Sequence, residues 1–217
     1  MGVMDCRRRI LMAQDGFIPP GYQRYDYLQT VRSKSYFDSG VAGNNDSIKI
    51  DATLVPYTHS SYSPILGNYN GDNQETCWML RYGGVEKQLN FVLNTNKVSG
   101  GSYNLNVDDN TVVGKRLKIH MEKGFAVVNN NGDEFSCTIT GDAPISTLNI
   151  YIGNYAAPVN YGAYTRFYSV KIFKSGVITR NYVPVVRKSD SKPGFYDTVN
   201  HTFNPSIGSA DFVAGND

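Results

Sequence analysis

Glutamate is almost missing from this sequence: there are four in 217 residues, Glu75, Glu86, Glu122 and Glu134. Leucine and alanine number ten each, so the strongest helix formers are scarce. That shortage excludes an all-α protein and argues against a βαβ architecture. Charge is also low, at 18% of residues, and the net +2 is confined to residues 1–9, where Arg7, Arg8 and Arg9 outweigh Asp5. The rest of the chain is neutral, which removes the electrostatic basis for nucleic-acid binding. No apolar run approaches the ~18 residues that cross a bilayer, so no membrane insertion is expected. The apolar stretch Ile10–Ala13 is shorter than a signal-peptide core of about 7–15 residues. Synthesis and assembly in a cytoplasm are therefore expected. Three cysteines (Cys6, Cys77, Cys137) and three histidines (His59, His120, His201) lie far apart in the sequence. An odd count without paired spacing argues against a disulfide framework or a zinc site. Two of the cysteines are expected to serve as small buried hydrophobes, with Cys6 a tail thiol.

Catalytic signatures are absent as well. β-Glucan-cleaving enzymes of sandwich folds carry acidic residues at alternating positions of one strand, with carboxyl groups about 5–5.5 Å apart in the retaining case. None of the four glutamates has such a partner. Asp133-Glu134 and Asp108-Asp109 are adjacent pairs that would face opposite sides of a strand. No nucleophile elbow, phosphate loop or dinucleotide glycine pattern occurs. The expectation is a non-enzyme with no catalytic residues, no cofactor and no metal. Asn106, Asp108, Asp109 and Asn110, or Asp72 with Asn70, fit no EF-hand spacing and read as polar turns.

What is present is tyrosine (16), glycine (21) and asparagine (21). Strand and turn formers therefore dominate. Pro19-Pro20-Gly21 separates residues 1–17, a basic then apolar peptide, from a domain over residues 18–217. Ser47–Leu54, Arg116–Met121, Phe125–Val128, Thr147–Gly153 and Tyr164–Lys174 alternate polar and apolar residues, as half-buried strands do. Thr76–Tyr82 with Leu89–Leu93 reads as a hairpin. Asn131-Gly132 is a strong hairpin turn signal, with Glu134–Thr140 returning, and Ser175-Gly176 turns into Val177–Val183. Ten or more such strands without helices predict an all-β sandwich or barrel.

Two blocks are more specific. One is Gly21–Val41, containing Tyr36-Phe37-Asp38-Ser39-Gly40. The other is Arg166–Gly208, containing Lys171-Ile172-Phe173, Gly176, Arg180, Val183-Pro184, Gly194-Phe195-Tyr196-Asp197, Phe203 and Gly208. In this order they resemble a group of concanavalin A-like, or laminin G-like, jelly-roll domains of phage and prophage proteins from gut bacteria. The resemblance spans about residues 20–212, and the opening block departs from the group by lacking its usual glycine. Cys6–Gln14 is similar to the short arginine-rich leader that precedes varied modules in such proteins.

The resemblance implies a concanavalin A-like jelly-roll β-sandwich in a virion structural protein: a capsid decoration, head fibre or tail-fibre module. Arg7, Arg8, Arg9, Ile10, Leu11 and Met12 would dock it on other virion proteins. A homo-oligomer is expected, a trimer by analogy with symmetric fibres. The alternative is a bacterial surface or secreted lectin-like module. Within the closing block, Tyr196 and Asp197 read as fold determinants, with Asp197 capping a turn and Gly194 permitting a close approach or a positive φ.

Aromatic faces stack on sugars and asparagine amides satisfy hydroxyls in both directions. On that chemistry Tyr57, His59, Tyr62, Tyr69, Asn70, Asn154, Tyr155 and Tyr161 are the candidate glycan contacts. The same residue types suit contacts between subunits, and both readings stand at this point.

Overall fold

The computed structural model describes residues 16–43, 47–57, 63–68, 76–83, 88–95, 98–108, 112–122, 125–138, 148–154 and 164–217. The strands are β1 (Tyr22–Arg24), β2 (Tyr27–Gln29), β3 (Phe37–Ala42), β4 (Ile48–Pro56), β5 (Ser63–Asn68) and β6 (Thr76–Gly83). They continue as β7 (Gln88–Thr95), β8 (Val98–Asp108), β9 (Leu117–Glu122), β10 (Phe125–Asn130), β11 (Asp133–Thr138) and β12 (Asn149–Ile152). The closing run is β13 (Thr165–Lys174), β14 (Val177–Arg187), β15 (Lys192–Asp197), β16 (Thr202–Pro205) and β17 (Val213–Gly215).

These strands form two sheets. The larger has 11 strands, with the main order β11-β10-β9-β4-β13-β14-β15-β16, joined by β1, β2 and β17. The smaller has six, in the order β3-β12-β5-β6-β7-β8. Crossovers such as β4 between β9 and β13 are those of a jelly roll. The expected all-β jelly-roll sandwich is the observed architecture.

Alternation explains how the sheets face each other. In β4, Ile48, Ile50, Ala52 and Leu54 are buried while Lys49, Asp51 and Thr53 are only partly so. In β9, Leu117, Ile119 and Met121 point inward and Lys118, His120 and Glu122 outward. From the smaller sheet, Phe37, Ile65, Leu66, Leu80, Phe91, Ile150 and Ile152 meet them in one continuous core. Cys137 packs partly buried against this core, and desolvation raises its thiol pKa. The expectation of a small apolar cysteine holds there.

β13 carries an irregularity. Its register against β4 shifts between Phe167 and Ser169. The extra residue is Tyr168, and its ring lies under the guanidinium of Arg116, which comes from the segment before β9. A bulge of this kind re-aims a side chain without breaking the ladder.

The closing block behaves as a structural clasp. Asp197 is fully buried. It accepts hydrogen bonds from Asn181 N and Val199 N, both at 3.0 Å, and from Asn200 Nδ2 at 2.7 Å. Arg180 Nε lies 3.6 Å from it and donates to the Ser39 carbonyl at 3.0 Å. Gly194 lies in β15 without a positive φ, and a Cβ there would sit 2.7 Å from the Phe203 ring. Close approach is therefore the reason for that glycine. The turn at Asn131-Gly132 has both φ values positive, 52° and 108°, as the hairpin signal requires.

Candidate functional site on the outer face of the larger sheet

Register places the outward residues of four neighbouring strands in rows. One row is Lys171 on β13, Asp51 on β4, His120 on β9 and Val127 on β10. The next is Ser169, Thr53, Lys118 and Asn129. Strands lie about 4.8 Å apart and same-face residues about 6.5–7 Å apart along a strand, so these eight side chains form one compact grid. They line an open groove of about 320 Å³.

The grid carries both signs of charge in fixed pairs. His120 Nδ1 lies 2.6 Å from Asp51 Oδ1. An ionised carboxylate only accepts, so Nδ1 is the donor in this pair, and Nε2 lies 3.8 Å from Glu122 Oε2. Lys49 Nζ pairs with Glu122 Oε2 at 2.6 Å. Lys118 and Lys171 have no ion pair among the described residues. The groove thus offers ammonium donors, hydroxyls from Thr53 and Ser169, an amide from Asn129 and an oriented imidazole. Such a mixture suits a ligand dense in hydroxyl groups. One row beyond the grid, the Phe125 ring on β10 lies with its centroid 6.4 Å from that of His120.

The same face continues past Thr53 to Val55 and Tyr57, and past Lys118 to Arg116. Here Arg166 Cζ lies 4.2 Å from the centroid of Tyr27 and 5.1 Å from that of Tyr57, and Arg116 Cζ lies 3.7 Å above Tyr168. Burial first, and then hydrogen bonding to Asp217, pushes the Tyr168 pKa up to about 12. Another depression, of about 560 Å³, lies where β1, β14 and β17 meet. Its lysine, Lys188, already donates to the Pro20 carbonyl at 2.7 Å.

Two of the glycan residues expected from sequence are described. Tyr57 lies half-buried on the outer face, within the arginine and tyrosine group. Asn154 is fully buried, in a turn where Gly153 N donates to Ile65 O at 2.9 Å. Its amide therefore serves the interior and is in no position to meet a glycan. His59, Tyr62, Tyr69, Asn70, Tyr155 and Tyr161 lie outside the described residues, as do Arg7, Arg8, Arg9, Ile10, Leu11 and Met12. The grid itself was not identified from sequence. Its only signal was the polar parity of β4, β9 and β13, which says "outward" without saying "together".

No family model and no curated protein matches the chain. Solved structures do. The CBM40 of the Ruminococcus gnavus IT-sialidase, solved with α2,3-sialyllactose bound, superposes with a TM-score of 0.51 at 11% identity, over 70% of this chain and 91% of that one. A proposed carbohydrate-binding protein of Bacteroides ovatus superposes with a TM-score of 0.55 at 12% identity, covering 90% of this chain and 61% of that one. At such identities the likeness is one of fold: this chain shares the jelly-roll architecture of these two structures.

Proposed function

We propose that this chain is a non-catalytic carbohydrate-binding jelly-roll module whose ligand lies on the outer face of the larger sheet. The observation that carries the reading is the groove lined by Asp51, Thr53, Lys118, His120, Asn129, Ser169 and Lys171, bordered on the same face by tyrosines. Sugars need dense polar partners beside an aromatic face, and this surface offers both. Two proteins of the same fold, one solved with a sialylated sugar and one a proposed carbohydrate binder, support it. The non-catalytic part rests on the sequence, in which none of the four glutamates has a carboxylate partner at an alternating strand position. The test is a glycan array probed with the full chain and with Asn129→Ala/Lys171→Ala. The reading expects a glycan bound by the former and weakened at least tenfold in the latter. Absence of any bound glycan would sink it.

As the setting for this module we propose a phage virion, with residues 1–17 docking it on another virion protein. The support is the sequence resemblance of the leader and of the closing block. Gly16 begins the described chain against Thr198, at the β15–β16 turn. Removing residues 1–15 should abolish incorporation into particles while leaving the melting temperature unchanged. Normal incorporation of the truncated chain would leave the lectin-like module of a bacterial surface as the better reading.

A further inference from the structure

Beyond the groove, the outer face holds a group of cationic and aromatic side chains gathered from distant parts of the sequence. Arg116 precedes β9, Arg166 and Tyr168 lie on β13, Tyr27 on β2 and Tyr57 after β4. The rings of Tyr27 and Tyr168 lie 5.7 Å apart. Between the guanidiniums sits the side-chain carboxylate of Asp217. Its Oδ2 is 3.7 Å from Arg116 Nη1 and its Oδ1 is 3.8 Å from Arg166 Nη1. Asp217 is itself held in place, because its backbone N donates to Asp26 Oδ2 at 3.0 Å.

The contact is loose for what the groups could make. A guanidinium and a carboxylate at their best form paired hydrogen bonds of about 2.7–2.9 Å. Here both separations are nearly 1 Å longer, so Asp217 neutralises the two arginines without satisfying their donors. Arg166 Nε is directed instead to Gln29 Oε1 at 3.0 Å. The site is open at Arg116 and Asp217, whose side chains are 56% and 45% exposed, while Arg166 is half-buried and Tyr168 is buried beneath Arg116. Ion pairs this exposed contribute little to stability, so stability alone is a weak reason for the arrangement.

We propose that Arg116, Arg166, Tyr27, Tyr57 and Tyr168 form an acidic-sugar subsite, with Asp217 standing in for the carboxylate of a bound sugar. The guanidiniums recognise the carboxylate and a tyrosine face takes the ring of the same residue. The ligand class is an oligosaccharide with a carboxylated residue, its neutral part running over Thr53, Lys118 and Ser169 into the groove. Because the Asp217 carboxylate must leave first, it acts as an internal competitor that lowers apparent affinity. This inference rests on the carbohydrate-binding reading and names its ligand class.

The test is calorimetric titration of the full chain, Asp217→Asn and Arg166→Ala with α2,3-sialyllactose, with a galacturonate oligosaccharide and with lactose as the neutral control. Expected are tighter binding of at least one acidic sugar than of lactose, a gain of about fivefold or more for it in Asp217→Asn, no change for lactose, and loss of the acidic preference in Arg166→Ala. Thermal melts on all three proteins confirm folding. A gain for lactose as large as that for the acidic sugars would show that Asp217 acts only by shaping the surface, and would overturn the proposal. Lactose binding with no preference for either acidic sugar would overturn it while leaving the carbohydrate-binding reading intact. Silence from every sugar would remove both.

Discussion

Asp197 is the residue on which the closing clasp depends. It is a fully buried carboxylate that accepts from two backbone amides and one side-chain amide, with Arg180 beside it. Replacing it by alanine leaves those donors without an acceptor in the interior. The expected cost is roughly 2–4 kcal/mol, read as a shift in the urea midpoint at an unchanged slope. A loss below about 0.5 kcal/mol would show that the turn is held by other contacts. This role was legible from the Gly-Phe-Tyr-Asp pattern and the turn after it. The acidic-sugar subsite was not. Arg116, Arg166 and Asp217 are separated by about fifty residues each, and nothing local marks them. The pairings of β9 with β4, β13 with β4 and β2, and β17 with β2, together with the bulge at Tyr168, bring them onto one face.

At the level of elements, the sheets are tied by side chains as well as by packing. Tyr182 on β14 is almost fully buried and donates its hydroxyl to the Ser39 carbonyl of β3 at 2.9 Å. Burial raises its pKa above the ordinary tyrosine value, and burial does the same at Tyr168, Tyr196 and Tyr151. A raised pKa means that the folded state holds the phenolic proton more tightly than the unfolded chain. These groups therefore contribute fully below the unfolded value of about 10, and their contribution falls as pH rises from there through the folded values. Denaturation midpoints should decline from about pH 10 towards pH 12, and Tyr182→Phe should decline less steeply. An equal decline in both would assign the effect to other groups.

Elements also differed in how far the sequence disclosed them. β4, β9 and β13 alternate cleanly, because one face is core and the other open. β5 does not: all six of its residues, Ser63–Asn68, are buried. Without an exposed face it has no period to read, and Pro64 and Gly67 argue locally against a strand. β8 hides for a related reason, since its start, Val-Ser-Gly-Gly-Ser, reads as a turn until β7 pairs with it.

The whole molecule is a jelly roll with one sheet face that presents a polar groove and, beside it, a cationic and aromatic group. Neutral overall charge beyond residue 9 means that the proposed binding on this face would depend on local pairs rather than on a long-range field. The proposed function requires a glycan to bind there. The most direct measurement is a titration of the ¹⁵N-labelled chain with a glycan selected from the array, followed by amide chemical shifts. Perturbations should cluster at residues 51, 53, 118, 120, 129, 169 and 171, extending to 116, 166 and 168 for an acidic sugar. Perturbations confined to the smaller sheet, or none at saturating glycan, would contradict the proposed function.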